Sequence, residues 1–429
     1  MKLKNIKFST FYKDVFKLAG GTALAQLIPF IAIPILTRYY SEEDFGTLTL
    51  YISFSLLLAK IGSGKFEFAI VLEEDEKEKI NLVVLATGLL LSFSILYCLV
   101  IFMISDSFFT SLGLDSLGNF IYLIPVTIIS FGGFEICNYW LNSNKKYGSM
   151  AIGKVLQNTS AEGFKISGTH LNLKGGALIQ GKVIGEVIGL LFVLSKSWRS
   201  LQRNFKFINL ISILRLGKKH KKFLIFTTPS VLLGALINFA YITLFIKFYG
   251  KEFVGNIGIA SQYVVAGFAI ISRSFSQVFY KEIASIHNPL LLKKTYIGFM
   301  KKLSLISLFV IIVTYLIPQK LILFVLGDGW DNLLPILKIT VLWVSVQFIS
   351  GSLSFIYIKL NKQNLMLWFD LLHLLLIISC VLIGHNLFHS GIKTLWFFTI
   401  GQIIYYLLAI FLAIFFMKKW TNPSELIKD

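Results

Sequence analysis

About twelve apolar runs, each of roughly 17–25 residues or somewhat more, follow one another along this chain with short, more polar connections between them. At about 1.5 Å of rise per residue, a helix of that length matches a hydrocarbon core about 30 Å thick. The first six runs are read at about 14–37, 44–64, 80–104, 117–141, 147–170 and 175–196. The other six are read at about 222–246, 253–280, 297–319, 332–359, 363–385 and 391–417. Composition removes the soluble alternative, because 55% of the residues are hydrophobic and 15% charged, against roughly 45–50% and 25% in a soluble domain. So few charges cannot cover a soluble core of that size, whereas lipid accepts an apolar exterior directly. The expectation is an all-α polytopic membrane protein.

A short echo divides these runs into two sets. Arg38-Tyr39-Tyr40-Ser41-Glu42-Glu43-Asp44-Phe45-Gly46 lies between the first two runs, and Lys247-Phe248-Tyr249-Gly250-Lys251-Glu252-Phe253-Val254-Gly255 lies between the seventh and eighth. At a constant offset of 209 positions, Arg38 falls on Lys247, Tyr40 on Tyr249, Glu43 on Glu252 and Gly46 on Gly255. Internal repeats of this kind are a transporter signature. A second echo sets Leu141-Asn142-Ser143-Asn144 at the end of the fourth run beside Leu360-Asn361-Lys362-Gln363 at the end of the tenth. With an even number of helices in each half the repeats are parallel, and the divisions expected are 1–196, a basic linker 197–221, 222–417 and a tail 418–429.

The net charge of +19 would suggest nucleic acid in a soluble protein, so the placement of the cations decides. Lys196, Arg199, Arg203, Lys206, Arg215, Lys218, Lys219, Lys221 and Lys222 crowd one connection that holds no acidic residue. Lys145 and Lys146, Lys281, Lys293 and Lys294, Lys362, and Lys418 and Lys419 fall on the same side, which the positive-inside rule makes cytoplasmic, with both termini. Glu73-Glu74-Asp75-Glu76-Lys77-Glu78-Lys79 breaks the trend, but acidic residues weigh little in that rule. Lys2, Lys4, Lys7 and Lys13 before an apolar run imitate a signal peptide; the run continues to Leu36, so an uncleaved first span is expected. Cys98, Cys137 and Cys380 all lie in apolar runs and imply no disulfide framework.

Several stretches together resemble the Wzx-type oligosaccharide flippases. They are Gly20-Gly21, the Pro34 to Arg38 helix end, Glu43-Asp44-Phe45-Gly46 and Lys65-Phe66-Glu67-Phe68-Ala69-Ile70-Val71-Leu72. Trp140 with Asn144-Lys145-Lys146-Tyr147, Lys154-Val155-Leu156-Gln157, Gly175 to Gly181, Pro229 and Gln277-Val278-Phe279-Tyr280 agree. The resemblance implies two six-helix bundles around a central cavity. It also implies movement of an undecaprenyl-diphosphate-linked repeat unit from the inner to the outer leaflet of the bacterial inner membrane, for O-antigen or capsule. The polymerase and chain-length regulator of that pathway are the partners it would bring. In one place the chain departs from the family pattern: Lys65 stands where arginine is expected, which keeps the charge and loses bidentate phosphate geometry.

Ionisable residues inside apolar runs are costly and therefore candidate functional groups. Arg273, Lys65, Lys154 and Arg38 are the candidates for holding a diphosphate through charge-assisted hydrogen bonds. Glu67 is a partner for Lys65, while Glu135, Glu162 and Asp370 are candidates for carrying a coupling proton or sodium ion. Lys154, Asn158, Glu162 and Lys165 form one polar stripe on the fifth run, Glu135, Asn138 and Asn142 one face of the fourth. Lys182 and Glu186 are spaced i, i+4 and Asp370 and His373 i, i+3. The plainer readings stand beside these: Arg38, Lys247 and Lys338 near helix ends snorkel to the interface, and Lys182–Glu186 is a neutralising pair.

No phosphate-binding Gly-x-x-x-x-Gly-Lys-Ser/Thr motif and no His-Glu-x-x-His occurs, and the six histidines are scattered, so no cofactor, metal or enzymatic site is expected. A drug or cation antiporter of the same superfamily is the main alternative, and a cationic cavity argues against it. A polysaccharide polymerase or ligase would bring a large outer loop, which is lacking here. A lipid II flippase is a further relative that usually has more helices than twelve.

Overall fold

The computed structural model describes residues 6–103, 109–110, 113–171, 173–284, 286–360 and 362–419, and among them every regular element is helical. Contacts divide the chain into two compact units, residues 1–243 and 244–429. The long helices of the first are α1 (Ile6–Leu36), α2 (Glu42–Ala59), α3 (Glu76–Met103), α4 (Ile124–Ser143), α5 (Tyr147–His170) and α6 (Gly176–Asn204), followed by a short α7 (Leu210–Lys219). Next comes α8 (Thr228–Ala284), whose residues from Leu244 onward open the second unit. That unit continues with α9 (Pro289–Leu316), α10 (Gln319–Leu326), α11 (Leu333–Ser352), α12 (Phe355–Lys359), α13 (Gln363–Phe388) and α14 (Gly391–Lys419). Most of each of the twelve apolar runs is helical, and among the described residues eight stretches are long and apolar enough to cross a membrane.

The helices end where local chemistry dictates, not where hydropathy falls. Ser41 caps α2 by accepting from the Asp44 amide at 3.2 Å, while Asp44 Oδ2 accepts from the Ser41 amide at 2.9 Å. The second run, expected to reach residue 64, leaves the helix after Ala59, because Gly64 and Lys65 take positive φ of 61° and 59° before a 3-10 turn over Phe66–Val71. In the second half the charged turn between the seventh and eighth runs is replaced by a break inside α8 at Gly250, with φ 85° and ψ 171°. Only glycine adopts that conformation without strain, so one residue does what Arg38 to Ser41 do in the first half.

The two tyrosines of the echo do related work. Tyr40 Oη donates to the Lys165 carbonyl on α5 at 2.7 Å. Tyr249 Oη lies 3.1 Å from His385 Nδ1 on α13 and 2.6 Å from Thr394 Oγ1 on α14. Each ties its turn to the fifth run of its own half.

In the first unit α5 packs most closely on α6 and α1, and α4 fills the space against α6, α3 and α2. Small residues permit the approach: a Cβ at Gly185 would meet the Gln157 carbonyl at 2.5 Å and one at Gly181 the Ala161 carbonyl at 2.8 Å. In the second unit α11 lies innermost, packed on α9 and α14. Its span is 67% buried against 22% for that of α9, whose outer face is apolar without protein cover, as a lipid-facing helix requires.

The basic linker is ordered onto the acidic segment before α3. Asn81 Oδ1 accepts from the Asn209 amide at 2.9 Å and Asn81 Nδ2 donates to the Phe207 carbonyl at 3.0 Å. Arg215 Nη2 then lies 2.8 Å from Glu78 Oε1, Lys219 Nζ lies 2.6 Å from Glu73 Oε1, and His220 Nε2 meets the same Glu73 oxygen. Burial alone would raise the Glu73 carboxyl, but its hydrogen bonds with Glu78, Lys219 and His220 bring it down to about 2. Hydrogen bonding to Glu73 in turn raises the Lys219 ammonium. The acidic stretch that broke the charge trend is thus a docking edge for the linker.

Candidate functional site

The turn after α2 builds the first part of a buried polar network. Lys65, in the left-handed region, directs its ammonium to 3.2 Å from Glu67 Oε1, and Ser63 Oγ donates to Glu67 Oε2 at 2.6 Å. The same ammonium stands 5.4 Å from the centre of the Phe68 ring. Lys65 is 6% exposed and Glu67 1%, so both charges have left water. A non-glycine residue held at positive φ costs of order 1–3 kcal/mol and persists only where the surroundings fix it, a pattern concentrated at functional sites.

Three helices add to this turn. Glu135 on α4 lies in the electrostatic field of Lys154, Lys65, Glu67 and Lys60. Lys154 on α5 donates to Gln157 Oε1 at 3.0 Å, sits 5.3 Å over the Phe134 ring, and senses Lys182 and Glu186 on α6. Lys182 pairs with Glu186, as the i, i+4 spacing suggests. Glu186 is 1% exposed, and its second carboxylate oxygen has no partner among the described residues. Tyr51, hydrogen-bonded to Thr127 at 2.7 Å, completes the wall nearest Glu186. Lys60, Lys65, Lys154 and Lys182 thus share one electrostatic network with Glu67, Glu135 and Glu186 inside one unit. Such a set has the donors to take an anion.

A family model described as polysaccharide biosynthesis protein matches residues 35–335, which contain the whole of this network. The chain belongs to the polysaccharide biosynthesis protein family. No curated protein matches it. Among solved structures, an inward-facing multidrug resistance MATE transporter of the MOP superfamily matches with a TM-score of 0.72 at 15% identity, covering 92% of this chain and 96% of its own. The lipid II flippase MurJ, in an inward closed conformation, matches with a TM-score of 0.68 at 15% identity, covering 92% and 87%. A MOP superfamily transporter from Pyrococcus furiosus, described as having a binding pocket of reverse polarity, gives 0.59 at 14%, covering 95% and 96%. At these identities the likeness establishes the fold, that of MOP transporters.

The other candidates of this family member are spread more widely. Glu162 pairs with Lys165 at 2.8 Å, and Asn158 donates to the Ala25 carbonyl on α1. The polar stripe of α5 is therefore divided: Lys154 joins the network, while Asn158 is spent on α1 and Glu162 on a neutral pair. Arg38 is exposed just beyond the end of α1. Arg273 lies in α8 and its side chain is outside the described residues. Asp370 is half-buried on α13 within the field of Tyr405. His373 turns its Nε2 to Gln402 Oε1 at 2.8 Å and stacks on Tyr405 with ring centres 3.8 Å apart.

Sequence reasoning passed over Lys60, which closes the second apolar run and looks like an ordinary helix-end lysine. It also passed over the pairing of Glu73 and Glu78 with the linker. The signal for that pairing was available: one mostly acidic inner segment and one acid-free basic segment on the same side of the membrane.

Proposed function

We propose that the protein is a flippase that moves a polyprenyl-diphosphate-linked oligosaccharide from the cytoplasmic to the outer leaflet of the bacterial inner membrane by alternating access. The observation that carries this reading is the group of lysines gathered in one network of the first unit, with Lys65 buried and held in a costly backbone conformation. Lys65, Lys154 and Lys182 each already have a carboxylate or an amide oxygen as partner, so an entering diphosphate exchanges partners instead of meeting bare charge. Lys65 and Lys154 hold the diphosphate in this scheme, and Arg38 and Arg273 are proposed as separate cationic contacts for the cargo. The sugars occupy the cavity and the polyprenyl tail stays in lipid. Glu135, Glu162 and Asp370 are the carboxylates proposed to carry the coupling proton or sodium ion, and Glu67 keeps Lys65 in place between cargoes. Membership of a polysaccharide biosynthesis family supports a glycan cargo and makes a polymerase and a chain-length regulator the natural partners. A drug or cation antiporter has the same fold, but a network built around lysine donors suits an anion better than an organic cation.

The test is transport in reconstituted liposomes loaded with a fluorescent polyprenyl-diphosphate oligosaccharide. Wild type moves the lipid outward, while Lys154→Gln and Arg273→Ala, checked for folding, lose that movement. Export of an organic cation with no movement of the glycan lipid overturns the proposal.

A further inference from the structure

Helix α7 has two faces that differ in everything except charge. One edge carries Arg215 and Lys219, engaged with Glu78 and Glu73, and Leu216 beside them is fully buried. These contacts, with Asn81 gripping Phe207 and Asn209, fix how the helix is rolled about its axis. The opposite face then presents Leu210, Ile211 and Leu214, which are 69%, 76% and 60% exposed. Trp198, Phe205 and Ile208 on the approach to the helix, and Leu224, Ile225 and Phe226 after it, are exposed as well.

The same stretch of chain carries Lys196, Arg199, Arg203 and Lys206 before the helix, Lys218 in it and Lys221 and Lys222 after it, none of which forms an ion pair among the described residues. The helix is also tethered at both ends. It follows the long apolar α6 by five residues and precedes another membrane-length stretch that opens at Phe223, so it cannot leave the bilayer surface. An apolar strip flanked by unpaired cations and held at the interface has the chemistry of an interfacial amphipathic helix.

We propose that α7 is a docking surface for anionic phospholipid headgroups of the leaflet it faces, with Leu210, Ile211 and Leu214 entering the acyl boundary. Lys218, Lys221 and Lys222 with Arg203 and Lys206 gather the headgroups. The acidic segment at Glu73 to Glu78 keeps the other edge of the helix out of the lipid, so the same contacts that order the linker also aim it. Nothing in this depends on the cargo, and its failure leaves the flippase reading untouched.

Full-length protein in phosphatidylcholine nanodiscs is compared with protein in discs that also contain phosphatidylglycerol. Amide hydrogen exchange over residues 210–222 slows by about fivefold or more with the anionic lipid, since a cation near such a surface contributes about that factor. The triple variant Lys218→Gln, Lys221→Gln, Lys222→Gln loses the lipid-dependent slowing and keeps the same exchange over α4 and α5. In a second measurement, a spin label at Ile211→Cys, with Cys98, Cys137 and Cys380 replaced by alanine, is reached by oxygen and shielded from a water-soluble nickel chelate. Equal exchange in both lipids, or a label open to the chelate in both, overturns the proposal. A protein partner for this face would give that second result.

Discussion

Lys65 Nζ and Glu67 Oε1 lie 3.2 Å apart inside the first unit, joined across a backbone turn in which Lys65 takes a φ of 59°. Removing one partner of a buried ion pair leaves the other charge uncompensated, at a cost of about 3–5 kcal/mol. Glu67→Ala is therefore expected to lower the thermal midpoint of the purified protein sharply. The pair Lys65→Asn with Glu67→Gln removes both charges, and asparagine is among the residues that tolerate positive φ. That double variant is expected to keep most of the midpoint and to lose lipid-linked glycan movement. A double variant as active as wild type would restrict the pair to a structural role.

The α5–α6 contact supplies a test of packing separate from charge. Gly185→Ala sets a methyl group 2.5 Å from the Gln157 carbonyl, and the helices must part by a fraction of an ångström to admit it. Overpacking of this kind costs about 1–3 kcal/mol. Gly163 on α5 has open space where its Cβ would stand, so Gly163→Ala is the matched control and is expected to be neutral. Thermal melts followed by size-exclusion chromatography separate the two; equal midpoints would show that the helices part freely.

Much of the fold was legible because a bilayer sets a minimum helix length, and a run of apolar residues either meets it or does not. Helix takes up most of each run for that reason, and among the described residues eight stretches reach membrane length. Their ends were less legible, since Gly64 and Gly250 carry no polar side chain to mark a break and stop or bend a helix by conformation. The i, i+4 pairing of Lys182 and Glu186 could be read because it is local. The meeting of Lys60, Glu135 and Lys154 could not, because three helices bring it about and no spacing along the chain encodes it. Glu73 and Lys219, separated by 146 positions, belong to the same class.

The clamp between Glu73 and Lys219 carries a definite pH sign. Glu73 titrates at about 2 in the folded protein against an ordinary value of 4.5. A carboxylate with a depressed folded pKa contributes stability that is complete above its unfolded value and is lost as pH falls through the folded one. Trypsin cleavage after Arg215 and Lys218 is informative only where trypsin works, so amide exchange over residues 210–219 is the measurement of choice. Protection is expected to be unchanged between neutral pH and about pH 5 once intrinsic rates are corrected, and to fall between about 4.5 and about 2. Glu73→Gln is expected to show the reduced protection already at neutral pH. Loss of protection near pH 6 in wild type would assign the clamp to another group.

His373 and Gln402 give the last prediction, in the second unit. Their side chains meet at 2.8 Å between α13 and α14, both buried, with the imidazole stacked on Tyr405. Phenylalanine keeps the stack and removes the hydrogen bond, so His373→Phe strands the Gln402 amide at a cost of about 1–3 kcal/mol. Gln402→Leu strands the imidazole in the same way. Combining them removes both polar partners, and the double variant is expected to recover part of the loss. The coupling energy should be nearer 1 kcal/mol than 3, the scale measured for hydrogen bonds between membrane helices. Additive losses would mean that His373 and Gln402 each depend on other partners. Recovery of stability without recovery of transport would move His373 from the scaffold to the transport cycle, beside Asp370 one helical turn away.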